Sequence, residues 1–320
     1  MQTKQASSIE SSTAIPAPKR MLSVKRRFLK SWQLYLLLLP AILYFTIFHY
    51  IPMYGVQIAF KDYIATLGIT GSPWIGFDHF TRFYHSYYFW RILKNTFAIS
   101  FYQLALFPLP IIFALSLNEL KNGAFKKWTQ TLTYAPHFIS VVVVVGMLIA
   151  FLDPISGLAN NVITKFGGEA IPFLTSPGWF RHIYVWSGEW QSLGWGTIIY
   201  LAALAGVNPE LHESASIDGA TRIQRILYVN IPSILPSIVV LFILNIGKFM
   251  SIGFEKVLLM QNSLNSETSD IIQTFVYETG IIGGEYDFSA AIGLFDSVIN
   301  IILLVTVNYL AKKTSENSLW

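Results

Sequence analysis

Few side chains in this sequence are placed for catalysis. Its six histidines, His49, His79, His85, His137, His182 and His212, stand singly. There is no cysteine, which excludes disulfides, thiolate metal sites and a Cys nucleophile. No H-E-x-x-H or other metal-ligand spacing occurs, no G-x-x-x-x-G-K-[ST] loop is present to cradle a phosphate, and no G-x-S-x-G marks a nucleophile. The spacing that does carry purpose lies in residues 208–236, NPELHESASIDGATRIQRILYVNIPSILP, the most polar run of the C-terminal half. Asn208 is placed as an N-cap, with Pro209 at the first helical position, where a missing N–H costs nothing. The helix that follows reaches Asp218, and Gly219 supplies the left-handed stop that a helix C-terminus favours. Thr221-Arg222-Ile223-Gln224 has the spacing of a capping box, so a second helix starts at once. That helix is expected to end before Pro232, because the residue preceding a proline avoids the helical region. A helix, a glycine turn and a second helix make a compact object suited to gripping another protein.

Two further charges stand out because of where they fall. Lys248 and Asp296 lie inside long apolar stretches, on either side of residues 253–287. Helical rise puts both roughly 7–10 Å below one membrane boundary. Charges at that depth pair or face a polar cavity. They are expected to face the bundle interior, with Asn245 beside them, and either to pair or to line a pathway.

Composition sets the frame for these residues. Of 320 residues, 53% are hydrophobic and only 12% charged, about half the roughly 25% of an average soluble domain. The mean hydropathy is +0.49. These values describe a polytopic membrane protein. A net charge of +4 and a pI near 9.0 do not point to nucleic acid, because the Lys and Arg residues flank the apolar runs. Lys19, Arg20, Lys25, Arg26, Arg27 and Lys30 precede the first run and hold the N-terminus in the cytoplasm against anionic lipid. Residues 1–20 are polar and expected to be disordered. The apolar run after Trp32 is too long for a cleavable signal and has no convincing small-residue cleavage site.

Six spans follow, near residues 34–54, 95–117, 131–152, 182–206, 233–252 and 288–310, each close to the roughly 20 apolar residues that cross a bilayer. Pro108 and Pro110 are expected to kink the second. Between the first two spans, Phe80, Phe83, Tyr84 and Tyr87 recur at helical spacing, which predicts an amphipathic helix in the outer interface, as an aromatic belt rather than a ligand site. Span four carries Glu189, Gln191, Trp186, Trp190 and Trp195, with Gly188, Gly194 and Gly196 between them. Two readings stay open: proximity to a translocation path, or residues 186–191 at the outer interface with only 193–206 immersed. Lys121, Lys126, Lys127, Arg222, Arg225, Lys312 and Lys313 join the N-terminal cluster on the inner side. Both termini are therefore expected in the cytoplasm, and residues 208–236 with them.

At this point residues 208–236 become recognisable. Glu213-Ser214-Ala215, then Asp218-Gly219-Ala220, then Val229-x-Ile231-Pro232 resembles the EAA motif of ABC importer permeases of the binding-protein-dependent, MetI-like family. Its usual form is E-A-A, three residues, G, nine residues, then I-x-L-P. The spacing holds throughout, and Ser214, Val229 and Ile231 are mild departures. The resemblance covers the six-span region. Leu39-Pro40-Ala41, Trp90-Arg91-Ile92-Leu93-Lys94-Asn95-Thr96 and Gly293-Leu294-Phe295 are similar to the branch importing oligosaccharides, acidic polysaccharide fragments included.

What the resemblance implies is specific. The fold is all-α and polytopic, with six transmembrane helices, both termini cytoplasmic and a cytoplasmic coupling helix pair between spans four and five. Residues 1–30 form a basic N-terminal segment, 31–313 the permease domain with the coupling loop at 208–236, and 314–320 a tail. The loop docks on a separate ATPase through Glu213, Ser214, Ala215, Asp218, Gly219, Ala220, Ile231 and Pro232. Small residues admit close approach, Glu213 accepts a charge-assisted hydrogen bond from an Arg of the ATPase, Gly219 makes the bend, and Pro232 and Pro236 stiffen the exit. The chain is then not an enzyme. It holds no cofactor, ATP and Mg²⁺ being bound by the partner. Its partners are a second homologous permease, two ATPase subunits, an extracytoplasmic solute-binding protein, a sugar and membrane lipid, but no nucleic acid. The expected place is the bacterial cytoplasmic (inner) membrane. Trp190, Trp195, Tyr200, Asn245, Lys248 and Asp296 are the candidates for the substrate pathway. The alternatives are a secondary carrier for sugar driven by an ion gradient, for which Asp296 is the only clear acidic candidate in mid-span, and a membrane-anchored scaffold.

Overall fold

The computed structural model describes residues 32–121 and 123–314. The basic N-terminal cluster and the end of the C-terminal tail lie outside the described residues. Among the described residues the chain is helical, the one β-bridge joining Lys61 to Trp74. The chain divides into two compact units, the first ending at Gly55 and the second starting at Val56.

The first unit is α1 (Trp32–Phe45), a π-turn over Thr46–Tyr50 and a short helix Ile51–Met53. Its apolar side chains are exposed on every face, Leu37 at 79%, as a helix in lipid would be. The π-turn has a local cause. Pro52 lacks an N–H and its ring crowds the preceding turn; the wider turn, closed by Ile51 N–H on the Thr46 carbonyl, precedes it directly.

In the second unit a single turn of helix, Gly68–Gly71, precedes α2 (Asp78–Tyr84). The expected helix forms, and one of its aromatics turns into the core. Phe83 is 2% exposed and packs into a cluster with Phe89, Phe288 and Ile292, and Phe77 is the N-cap. Phe77 and Tyr87 remain exposed. The spacing was helical, but one of its aromatics was needed to close the core. Next come α3 (Phe89–Ala105) and α4 (Pro108–Glu119), together a 31-residue apolar stretch interrupted before Pro108.

Span three departs from a single straight helix. It is α5 (Ala124–Tyr134), a 3₁₀ turn Ala135–Phe138, and α6 (Val141–Leu152), bent by 102°. Pro136 sits in the turn, and Ser140 starts α6 afresh by accepting from the Val143 N–H at 3.4 Å. After α7 (Leu158–Lys165), α8 (Pro177–Ala205) runs unbroken for 29 residues. By length and apolarity four helices among the described residues can cross a membrane, and a fifth if the bent pair is one span. The expected six is not reached by that measure, because α8 carries the polar and tryptophan residues that lower its hydropathy.

The chain continues through α9 (Pro209–Ile217), α10 (Arg222–Arg225) and α11 (Ile231–Ile246), then α12 (Phe254–Met260) and α13 (Ile272–Tyr277), to α14 (Tyr286–Thr314). Three apolar clusters tie the second unit. One joins α2, α3, α13 and α14. A second joins α3, α6, α8 and α12. The third joins α4 and α8 to α11 through Ile111, Ala114, Tyr200, Leu204 and Ile234.

Candidate functional site

The loop after α8 folds as its capping residues dictate. Asn208 Oδ1 accepts from the Glu210 N–H at 3.1 Å, with Pro209 at N1. α9 closes with Gly219 at φ +77°. Gly219 N–H reaches the Ser216 carbonyl (3.1 Å), and Ala220 N–H reaches Ala215 (2.9 Å). That pattern is a left-handed glycine cap. Thr221 and Gln224 complete the capping box, Gln224 Oε1 accepting from the Thr221 N–H at 2.8 Å.

The exit from the loop corrects one expectation. The second helix does not end before Pro232. Ile231 is helical at φ −60°, ψ −49°, and residues Arg222–Ile246 form one 25-residue apolar helix. A π-turn over Ile226–Asn230 makes this possible, with Ile231 N–H on the Ile226 carbonyl. It is the same device that precedes Pro52. Ser233 Oγ donates to the Val229 carbonyl at 2.7 Å, adding a side-chain donor to the turn that lacks the proline N–H. Ile231 and Ile234 beyond it pack on Tyr200 and Leu204 of α8 and Ile111 of α4. Loop and membrane helix are thus continuous, and a push on one reaches the other through a packed contact.

The loop residues are disposed for contact. Glu213, Ser214, Asp218 and Gly219 are exposed, Ala215 and Ala220 half-buried, and Pro232 exposed on the first turn of α11. Glu213 forms no ion pair among the described residues. Arg225 Nη1 crosses the turn to Ser216 Oγ at 3.3 Å. Between the two helices lies a cavity of about 230 Å³ lined by Ala215, Asp218, Ala220, Arg225 and Tyr228. Sequence reasoning missed an apolar ridge around this polar surface: Ile217 is 86% exposed, Tyr228 76% and Ile223 68%. The signal was available, since Ile217 and Ile223 are apolar residues inside an otherwise polar run.

The six pathway candidates fall into different places. Tyr200 is 4% exposed and belongs to the packed cluster around Ile234, so its ring holds helices together and does not reach an accessible surface. Trp195 stacks on His137, with ring centroids 4.4 Å apart and planes 3° from parallel. Trp190 lines an apolar cavity of about 430 Å³ with Trp186, Phe151 and Leu148. Much of what made α8 unusual braces the broken span beside it. Gln191 Nε2 donates to the Ile139 carbonyl at 2.7 Å, at the break itself. A Cβ on Gly194 would lie 2.2 Å from the Thr133 carbonyl oxygen. Asn245 and Lys248 are exposed and Asp296 is half-buried. Lys248 and Asp296 do not pair. The Asp296 carboxylate accepts instead from Gln273 Nε2 at 3.3 Å.

A second constellation forms where Trp90-Arg91-Ile92-Leu93-Lys94-Asn95-Thr96 meets residues 261–272. Arg91 pairs with Asp270 and lies 4.9 Å over the Tyr88 ring. Asn95 Nδ2 donates to the Glu267 (2.9 Å) and Asp270 (3.0 Å) carbonyls, and its Oδ1 accepts from Arg181 at 2.7 Å. Thr96 Oγ1 accepts from the Ile272 N–H at 3.1 Å. Above this stitch opens a cavity of about 650 Å³ lined by Tyr88, Arg91, Gln261, Asn262, Asp270 and Glu278, among others. Burial pushes the Asp270 carboxyl up, with Arg91 opposing. Glu278 is raised by burial first and then by Asp270. Lys256, also unflagged in the sequence, is 7% exposed and donates to the Tyr184 carbonyl at 3.0 Å. Burial lowers its ammonium to about 8.

Comparison with known proteins agrees with the loop. The profile of the binding-protein-dependent transport system inner membrane component family matches residues 107–316. Protein LplB of Bacillus subtilis (strain 168) is 46% identical over 288 residues, covering 90% of this chain and 91% of that protein. The polygalacturonan/rhamnogalacturonan transport system permease protein YteP of the same organism is 44% identical, covering 90% of each. Among solved structures, a chain of a bacterial ABC transporter involved in the import of the acidic polysaccharide alginate superposes with a TM-score of 0.84 at 40% identity, covering 91% of this chain and 99% of that one. A chain of the bacterial alginate ABC transporter in complex with an alginate pentasaccharide-bound periplasmic protein gives 0.85 at 39%, covering 92% and 99%. The chain is a multi-pass bacterial membrane protein and belongs to the family of binding-protein-dependent transport system inner membrane components.

Proposed function

We propose that this chain is one of two permease subunits of an ATP-driven importer for an acidic oligosaccharide or polysaccharide, such as alginate or pectic fragments. The observation that carries this reading is the loop of α9 and α10. It is capped at both helices, bent at Gly219, and continuous with a membrane helix packed on α4 and α8. ATP and Mg²⁺ belong to two separate ATPase subunits, onto which Glu213, Ser214, Ala215, Asp218, Gly219 and Ala220 dock. Ile231 and Pro232 begin the helix that receives the motion. Glu213, exposed and outside any ion pair here, meets an arginine of the ATPase. With the loop and both termini in the cytoplasm, the 262–283 segment and its cavity face the solute-binding protein that delivers the sugar. Two of the similar proteins carry acidic polysaccharide chemistry in their names, polygalacturonan and alginate, which supports the choice of substrate class.

The test is Glu213→Lys in the complete reconstituted transporter. Insertion and assembly of the permease pair are expected to persist, while sugar-stimulated ATP hydrolysis falls at least ten-fold. This corresponds to the loss of about 1.4 kcal/mol or more of coupling interaction. Uptake that runs on an ion gradient without ATP would overturn the reading in favour of a secondary carrier.

A further inference from the structure

The surface formed by the end of α11 and the middle of α14 carries polar groups where a lipid-facing helix would carry none. Asn245 and Lys248 are exposed, and so are Ser251 and Ser297, while Asp296 and Asn300 are half-buried. Backbone bonds stack the first three: Lys248 N–H on the Asn245 carbonyl (3.0 Å) and Ser251 N–H on the Lys248 carbonyl (2.9 Å). Asn300 ties this turn to α14. Its Oδ1 accepts from the Met250 N–H at 2.9 Å and its Nδ2 donates to Ser251 Oγ at 3.5 Å. Gln273 Nε2 bridges the Met250 carbonyl (2.6 Å) and Asp296 Oδ2 (3.3 Å). Asp296 Oδ1 and Gln273 Oε1 are buried and find no donor among the described residues.

Charge decides what this strip suits. One oxygen of Asp296 is engaged by Gln273, and no carboxylate among the described residues lies within 4.0 Å of Lys248. Lys248 is therefore an accessible ammonium without a counterion among the described residues, on a strip of amide and hydroxyl groups. A charge inside the hydrocarbon that faces acyl chains is costly, so it pairs or faces a polar cavity. An anionic, hydroxyl-rich ligand meets both halves of the surface. Its carboxylate would sit on the ammonium, and its hydroxyls on Asn245, Ser251, Ser297 and Asn300.

We infer that this strip lines the sugar path and that Lys248 reads the negative charge of a uronic-acid unit, favouring acidic over neutral oligosaccharides. The inference rests on the sugar-import reading above. The experiment uses the complete transporter in proteoliposomes, with its ATPase, partner permease and binding protein. Uptake of an oligogalacturonide is compared with uptake of its methyl ester, which has the same backbone without the charge, each normalised to binding-protein occupancy. The wild type is expected to prefer the free acid. Lys248→Gln should lower free-acid uptake ten-fold or more and leave ester uptake within two-fold, and Lys248→Arg should keep the preference. Equal loss for both sugars in Lys248→Gln, with Lys248→Arg restoring both equally, would overturn the inference and mark a structural lysine. No change for either sugar would also overturn it, since the lysine would then reach only the lipid headgroups. A wild type that moves neither sugar while hydrolysing ATP would instead overturn the sugar-import reading, and this inference with it.

Discussion

Gly219, Gly194 and Lys256 show three ways in which one residue can matter here. Gly219 is required for its backbone: at φ +77° a side chain would have open space but a strained conformation. Gly194 is required for the opposite reason. Its backbone is helical, but the Thr133 carbonyl occupies the place of a Cβ at 2.2 Å, with Tyr134 at 2.8 Å. Backbone cannot move aside as a flexible side chain can. Gly194→Ala is therefore expected to destabilise the detergent-solubilised protein by about 1–3 kcal/mol, read as a lower thermal unfolding midpoint. Lys256 is held below its ordinary value by burial, at about 8. The unfolded chain keeps the lysine proton up to the ordinary value of 10.5, so between these values it binds more protons than the folded chain. Stability from this group is fully present above 10.5 and lost as pH falls through about 8. The thermal midpoint of the wild type should therefore rise across that window relative to Lys256→Met, which lacks the titration. A constant difference between the two proteins from pH 7 to 10.5 would refute the assignment.

At the scale of elements, prolines and polar stitches decide where helices break and where they continue. Pro136 breaks span three, and Gln191 of α8 reaches across to the Ile139 carbonyl at the break. Pro52 and Pro232 do not break their helices, because each follows a π-turn that accommodates it. The rule that a residue before proline avoids the helical region is a preference, and at Ile231 tertiary packing against α4 and α8 outweighs it. The consequence is mechanical. A loop that ended at Pro232 would hinge there, whereas a continuous Arg222–Ile246 helix carries displacement inward. The helix pair also exposes Ile217, Ile223 and Tyr228 around its polar surface. Buried apolar contacts dominate most interfaces, with charges setting register. Ile217→Asp is thus expected to reduce ATPase binding by ten-fold or more in a pull-down or light-scattering titration, without changing membrane insertion. Retained binding would place the interface on the polar side of α9 alone.

At the scale of the molecule, two of the apolar clusters link the loop to the far end of the membrane region. The cluster at Ile234 takes in α4, α8 and α11; that around Met250 joins the end of α11 to α3, α13 and α14. α11 therefore runs from the α9–α10 loop to the turn that holds Lys248. A displacement at Gly219 can reach the polar strip along one helix, as the proposed docking of the loop on an ATPase requires.

The membrane class, the capped loop with its glycine bend, and the family were all legible in the sequence, because each rests on local chemistry. Hydropathy is a property of a window, caps depend on residues three or four apart, and the motif's spacing lies within a single segment. The burial of Phe83 and Tyr200, the use of Gln191 and Trp195 as braces, and the failure of Lys248 to pair with Asp296 were decided only by the tertiary structure. Periodicity tells that a residue shares a helix face, but not which neighbour that face meets. Asp296 took Gln273, 23 residues away in sequence, and Lys248 pairs with no carboxylate among the described residues.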